Sequence, residues 1–392
     1  MHNLFIALII LFLTAVLLRM DWVYYLVYVV GGVWLFSHWW IRRSLDHLQV
    51  QRTSTHRAFA GEIVEAGVSF INTSWLPLPW LHVQEQIPLD LKDALDYQTV
   101  ITVGSQSKSQ YKYTLSCKKR GYYPIGPLVL RTGDLFGFTS TTWQENADVY
   151  MTVYPRVMTL EELGVSSRSP FGTLSTNQRL FEDPTRISGV RDYVSGDSMR
   201  RIHWKASARE DSLLVKKFQP AISLNVTIVL DLNRNAYQTQ LQTSDSEWAI
   251  EVTASLANYV TEQRQPVGLL SNGRDPFSET IATPLLARNG QGQLMAILTV
   301  LARIQLHDFE QELEDWLPSK LVDLAWGTTL LVVTPKLTER TLWALHGAYR
   351  RGSSVTVLIC SQFAEYELLK AQGERLGVRV ERTVWERDLQ RV

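Results

Sequence analysis

Two apolar runs begin the chain. The first covers residues 4–18 with Thr14 as its one polar residue, and the second covers residues 22–41 without a charge inside it. Each run is close to the roughly 20 residues that span the apolar core of a bilayer. The pattern therefore predicts a transmembrane helical hairpin over residues 1–44.

The flanking charges predict an orientation for this hairpin. A cleaved signal peptide is the alternative for the first run, but that run lacks a positively charged start and a small-x-small cleavage site. Arg42, Arg43, Arg52 and Arg57 follow the second run, whereas the short connection has one arginine beside an aspartate. By the positive-inside rule we expect a two-pass protein of the inner (plasma) membrane, with cytoplasmic soluble domains and the lipid bilayer as a partner.

The polarity pattern of the next region, residues 45–160, predicts β-strands. Short segments of alternating polarity are separated by turn residues such as Asn72-Thr73-Ser74 and Thr132-Gly133-Asp134. No helical period interrupts them. This pattern is typical of an antiparallel β-sandwich of about seven strands.

The spacing of the apolar residues changes again in residues 161–392. Residues 224–230 form a continuous apolar run that ends at Asp231, as a central parallel strand buried on both faces does. Helical and strand patterns then alternate to about residue 382. The pattern predicts an α/β doubly wound sheet with ligand loops at the carboxyl ends of its strands. The fold class is thus multi-domain: transmembrane hairpin, β-sandwich, then α/β domain.

The composition of the chain argues against nucleic-acid binding, zinc binding and a disulfide-stabilised fold. Lys and Arg number 39 and Asp and Glu number 39, so no net charge draws the chain onto nucleic acid. The two cysteines, Cys117 and Cys360, are far apart and give neither a zinc spacing nor a disulfide framework. We expect no nucleic-acid partner.

The densest cluster of unusual residues lies at 191–211, called the signature segment below. Ser195 or Asp197 is suited to cap a short helix, Asp197 to pair with Arg201 one turn on, and Trp204 to act as an apolar anchor. These features predict a structural clasp. Asp197 and His203 also suggest a hydrolase, but no nucleophile elbow or oxyanion hole accompanies them.

The same stretch is locally basic. It binds phosphate or anionic lipid in one interpretation, and forms a solvated or partner-facing surface in the other, which we favour. The residues concerned are Arg200, Arg201, Lys205, Arg209, Lys216 and Lys217.

The signature segment, RDYVSGDSMRRIHWKASARED, resembles the signature of domain-of-unknown-function family 58 (DUF58), bacterial proteins whose C-terminal half looks like a von Willebrand factor A domain. Residues 120–138, RGYYPIGPLVLRTGDLFGF, resemble the β-domain segment that precedes it. The resemblance covers nearly the whole chain and is close to members found beside MoxR-type AAA+ ATPases. The motif and interaction residues that it implies are Tyr193, Gly196, Asp197, Arg200, Arg201, His203, Trp204, Lys205, Ser207, Ala208 and Arg209.

The resemblance also implies where a cation would bind. Von Willebrand A domains usually hold one through an Asp-x-Ser-x-Ser loop after the first strand. Here Asp231 is followed by Asn233 and Asn235, and Thr334 begins the stretch where a ligand aspartate would stand. We expect a degenerate loop with no metal, no cofactor and no catalytic residue, and we disfavour weak cation binding at Asp231.

The resemblance favours a membrane-anchored, non-enzymatic binding or scaffold protein. Its partner would be a MoxR-type AAA+ ATPase that acts, chaperone-like, in the assembly or maintenance of membrane or envelope complexes. The alternatives are a hydrolase that uses Asp197 and His203, and an outward-facing adhesion protein.

Overall fold

The computed structural model describes most of the chain, in two compact units, Met1–Arg156 and Val157–Val392. The residues described are 2–18, 21–54, 56–93, 97–134, 137, 140–145, 149–160, 162–163, 182–194, 197–210, 212–220, 225–325, 327–362 and 364–383.

Two helices begin the first unit, α1 (His2–Leu18) and α2 (Asp21–Leu45). They lie side by side, with the ring of Phe12 edge-on to that of Tyr24 at 6.2 Å between centroids. The end of α2 contacts the strands that follow, because the Trp40 indole donates a 2.8 Å hydrogen bond to the Pro77 carbonyl.

The predicted transmembrane hairpin is wrong. Among the described residues, no helix combines the length and the apolar character needed to cross a membrane. Helix α1 has 17 residues, fewer than the roughly 20 required. Helix α2 has 25, but tyrosines, tryptophans, Gly31, Gly32, Ser37 and His38 dilute its apolar run. The predicted two-pass inner-membrane placement is corrected with the hairpin.

The strands of the first unit build three sheets, with orders β1-β3-β6, β5-β4-β8-β9 and β2-β10-β7. Most pairs are antiparallel, but β10 runs parallel to β2, which differs from the all-antiparallel prediction. The strand bounds are β1 (Leu48–Ser54), β2 (Arg57–Phe59), β3 (Ile63–Asn72), β4 (Leu78–Glu85), β5 (Gln98–Val103), β6 (Lys108–Ser116), β7 (Gly121–Ile125), β8 (Leu128–Gly133), β9 (Ser140–Glu145) and β10 (Val149–Tyr154).

Apolar side chains fill the space between these sheets. Phe70 of β3 packs with Leu81 of β4 and Leu130 of β8 in one cluster, and all three are fully buried. A second cluster joins Leu115 of β6 to Met151 of β10. The alternating pattern of the sequence thus becomes an inward apolar face on each strand.

The second unit begins with a two-stranded antiparallel sheet, β11 (Glu182–Asp192) and β12 (Leu214–Pro220), with α3 (Trp204–Glu210) between the strands in sequence. Strands and helices then follow one another to residue 382, with four successive strands over residues 267–288 and two successive helices over residues 291–321. These elements are β13 (Val226–Leu230), α4 (Gln242–Glu262), β14 (Val267–Ser271), β15 (Arg274–Asp275), β16 (Thr280–Ile281), β17 (Leu285–Arg288), α5 (Gln291–Arg303), α6 (Leu313–Leu321), β18 (Thr329–Thr334), α7 (Glu339–Arg350), β19 (Ser354–Ile359), α8 (Tyr366–Arg375) and β20 (Val378–Arg382).

Six of these strands form one sheet, ordered β17-β14-β13-β18-β19-β20. All neighbours are parallel except the edge strand β17. Helices cover both faces, since Val229 packs with α6 and α7 while α4 contacts the same strand from the other face. The chain order reverses between β13 and β18, which is where open α/β sheets usually bind ligands.

Candidate functional site

The signature segment connects β11 to β12. The strand pairing ends at Asp192 opposite Leu214, and the Tyr193 amide donates one further bond to the Leu213 carbonyl at 2.8 Å. On its other edge β12 meets Ile202, which forms a β-bridge with Val215. The segment is therefore anchored to β12 at its start and again at its middle.

Asp197 holds the first turn of the segment. Both of its oxygens accept bonds from the Arg191 guanidinium, at 2.6 and 2.7 Å, and one also accepts the Val194 amide at 3.0 Å. These bonds hold the pKa of Asp197 down at about 2, and the charge of Arg201 acts in the same direction. Asp197 is therefore ionised, and its bonds to Arg191 and Val194 hold this turn in place. We call this arrangement the Asp197 brace.

His203 and Ser207 fix α3 against β12. The Nδ1 atom of His203 accepts the Ala206 amide at 3.0 Å, which caps the helix. The Ser207 hydroxyl donates to the His203 carbonyl at 3.2 Å and accepts the Leu214 amide at 2.9 Å. An Nδ1 that accepts an amide carries no proton, so this imidazole nitrogen serves the backbone.

The other predicted motif residues divide by exposure. Trp204, Lys205, Ala208 and Arg209 are exposed on α3. Gly196 lies outside the described residues, as does the side chain of Arg200, whose backbone belongs to the three-residue 3₁₀ helix Met199–Arg201.

Three large apolar side chains of the segment are exposed. Val194, Met199 and Trp204 are 62%, 61% and 63% exposed, whereas neighbouring Ile202 is 2% exposed. Exposed cations stand among them. We call this set the signature surface, and it comprises Val194, Met199, Arg201, Trp204, Lys205 and Arg209. Three large apolar side chains exposed within one short segment favour an interaction site there.

Asp231 lies at the topological switch point, directly after β13. Its carboxylate accepts the Asn272 side-chain amide at 2.7 Å, the Asn233 backbone amide at 3.1 Å and the Thr334 hydroxyl at 3.1 Å. The Tyr237 hydroxyl bonds the Asp231 carbonyl at 2.7 Å. These five residues form what we call the Asp231 cluster, and all are buried.

A strand-like segment, residues 305–311, closes this end of the sheet. Asn233 donates its side-chain amide to the carbonyls of Phe309 and Gln311 at 3.2 and 3.3 Å. His307 bonds the backbone on both sides of Asn233, and Arg234 pairs with Asp308 at 3.0 Å. The Asp231 cluster is consequently sealed beneath this segment.

Burial dominates the electrostatics of the cluster. It raises the pKa of Asp231, although the bonds from Asn272, Asn233 and Thr334 act in the opposite direction. Burial also raises the pKa values of Tyr237 and Cys360 well above their ordinary ranges. Burial thus disfavours the charged form of each of these groups.

The predicted cation loop has other roles here. The Asn233 side-chain oxygen accepts the Asn235 amide at 3.2 Å and caps a 3₁₀ turn, Arg234–Ala236. Thr334 directs its hydroxyl at Asp231. Across the described ranges, no group of three His, Cys, Asp or Glu side chains is placed to hold a metal ion.

The sequence reasoning missed Asn272, Tyr237 and the sealing segment. Asn272 had a detectable signal, because it follows the apolar strand β14 just as Asp231 follows β13. Carboxyl ends of neighbouring parallel strands meet at one edge of a sheet. Nothing in the local pattern marked Tyr237, whose hydroxyl reaches back six positions.

Comparison with known proteins supports the class suggested by the signature. Residues 189–325 match the family model described as "Protein of unknown function DUF58", a range that includes the signature segment and Asp231. The likeness to DUF58 is confirmed over these residues, while the von Willebrand A and MoxR features remain predictions.

One relative is the uncharacterised protein YeaD of Bacillus subtilis (strain 168). It is 24% identical over 232 residues, which cover 58% of this chain and 55% of YeaD, so the chain spans about half of that relative.

Solved structures give weaker likenesses. The CARDB domain of the PF1109 protein from Pyrococcus furiosus, in complex with di-metal ions, is 14% identical, with 27% of this chain and 91% of that chain covered and a TM-score of 0.20. The sporulation control protein Spo0M from Bacillus subtilis is 13% identical, with 27% and 49% covered and a TM-score of 0.17. Scores this low carry no argument about fold or function.

Proposed function

We propose that this protein is a non-enzymatic binding protein that docks a protein partner through the signature surface. The observation that carries the proposal is the exposure of Trp204, Met199 and Val194 on a segment braced by Asp197 and His203. A segment whose backbone is already braced loses less conformational entropy when a partner covers it.

The partner that the DUF58 resemblance suggests is a MoxR-type AAA+ ATPase, with a chaperone-like role in assembling or maintaining membrane or envelope complexes.

We further propose that the α/β domain is of the von Willebrand A type. The position of Asp231 after the central strand β13 and the antiparallel edge strand β17 support that assignment.

The local roles of Asp197 and His203 support a non-enzymatic function. Asp197 is bound by Arg191 and the Val194 amide, and the His203 Nδ1 atom is bound by the Ala206 amide. A hydrolase would need one of these side chains directed at a substrate. Each instead stabilises the segment that presents Trp204.

Affinity purification of the tagged full chain from its own cells, with quantitative mass spectrometry, tests the proposal. We expect an AAA+ ATPase among the enriched proteins. The variant His203→Asn keeps a capping acceptor and should retain the ATPase. Repeated recovery of no ATPase contradicts the proposed partner, and loss of in vivo function in a folded His203→Asn chain that still binds the ATPase argues for the hydrolase.

A further inference from the structure

We infer that the signature surface recognises an acidic, amphipathic segment of its partner, one that carries Asp or Glu beside an apolar stripe. This inference rests on the proposed docking function and specifies its chemistry. On α3, Trp204 and Ala208 lie four residues apart, and Lys205 and Arg209 form the adjacent pair. Side chains four apart share one face of a helix, so α3 presents an apolar stripe beside a basic one.

The apolar stripe has room for a partner side chain. Trp204 is 63% exposed, and Ala208 one turn later is also exposed and projects only a methyl group. A large aromatic beside a small residue forms a step against which an aliphatic side chain packs. Met199, 61% exposed, adds an adaptable apolar contact.

The charge of the segment selects the sign of the partner. Arg201, Lys205 and Arg209 are exposed, while the exposed carboxylates among the described side chains of the segment are Asp192 and Glu210. Asp197 is bound by Arg191 and also interacts with the charge of Arg201, so Lys205 and Arg209 are the cations of α3 that face a partner. On α3 the pair Lys205 and Arg209 lies beside the apolar stripe, so an acidic partner is attracted there and a basic one is repelled.

Selection from a random library of displayed 16-residue peptides tests this inference with the purified full chain as bait. We expect the enriched sequences to combine Asp or Glu with Leu, Ile or Phe at helical spacing. A representative peptide should lose affinity about tenfold or more on Trp204→Ala, as anchor residues do. The double variant Lys205→Glu with Arg209→Glu should invert the preference and enrich basic peptides.

Matched controls keep the result specific. Trp343→Ala removes another exposed tryptophan of the same unit, and Lys320→Glu with Lys336→Glu reverses two exposed lysines elsewhere. Both controls should leave peptide binding unchanged. Enrichment of neutral or basic peptides by the wild type, or equal binding by the Lys205→Glu, Arg209→Glu variant, overturns the inference. If an ATPase is still recovered in that case, the docking function stands and only its acidic chemistry falls.

Discussion

The signature surface and the Asp231 cluster use unusual residues in opposite ways. Around Asp231 the structure buries polar groups and pairs them with one another. In the signature segment it exposes apolar groups and uses Asp197 and His203 to hold them in place. The position where α/β folds usually bind ligands is thus filled by buried polar pairs, while the segment expected to form a clasp leaves large apolar side chains exposed.

The largest effect that this comparison predicts is at Asp231. Changing Asp231→Ala leaves the Asn272 amide and the Asn233 backbone amide without an acceptor, in a sealed site. Each unsatisfied buried donor costs about 1–3 kcal/mol, so we expect the variant to lose about 4 kcal/mol of unfolding free energy. Hydrogen exchange of the β13 amides in the full chain measures it. A loss below about 1 kcal/mol would place water or a ligand in the site.

Asp231→Asn is the matched control, and comparing its stability with that of the wild type across pH gives a second prediction. Its oxygen accepts from Asn272 and Asn233, and its amide donates to Thr334, whose hydroxyl also reaches the Lys336 carbonyl. Since burial raises the pKa of Asp231 in the folded chain above its ordinary 3.8, the wild type should lose stability as the pH rises from 3.8 through the folded value. The Asn variant lacks this slope and should gain relative to the wild type toward neutral pH.

Parts of both regions were predictable from sequence. The apolar run ending at Asp231 and the string at 191–211 are local patterns, and they located the two regions. Their roles depended on distant partners. Asn272 is 41 positions from Asp231 and Thr334 is 103 positions away. The helical hairpin failed for another reason, because a run of the right length was read without the dilution by polar aromatic and glycine residues in α2.

The next prediction distinguishes residues that anchor the signature segment to β12 from residues that are exposed on its surface. Ile202 is 2% exposed and bridges Val215, so Ile202→Ala should cost about 3 kcal/mol, as large-to-small changes in a core do. Hydrogen exchange of the Val215 and Leu214 amides should rise while that of β13 stays at its wild-type rate. An equal rise in β13 would mean that the segment and the sheet unfold as one unit.

The Asp197 brace gives a smaller effect with a clear pH signature. The pKa of Asp197 is held at about 2, below its ordinary 3.8, chiefly by Arg191. Its stabilising contribution is therefore present above pH 3.8 and lost as the pH falls toward about 2. Exchange of the Val194 amide should increase over that window in the wild type. In Asp197→Asn it should already be fast at neutral pH and change little, and equal profiles for the two chains would contradict the brace.

The smallest expected change in stability is at Trp204, and it decides what the exposed indole is for. Because Trp204 is 63% exposed, Trp204→Ala should alter the unfolding free energy by less than about 0.5 kcal/mol. A residue retained for folding would behave like Ile202, two positions earlier. If exchange across α3 and β12 is unchanged while partner binding falls, the indole serves recognition. If Trp204→Ala destabilises β12 as strongly as Ile202→Ala, the side chain is an anchor of the segment, and the contrast between a sealed polar cluster and an open binding surface fails.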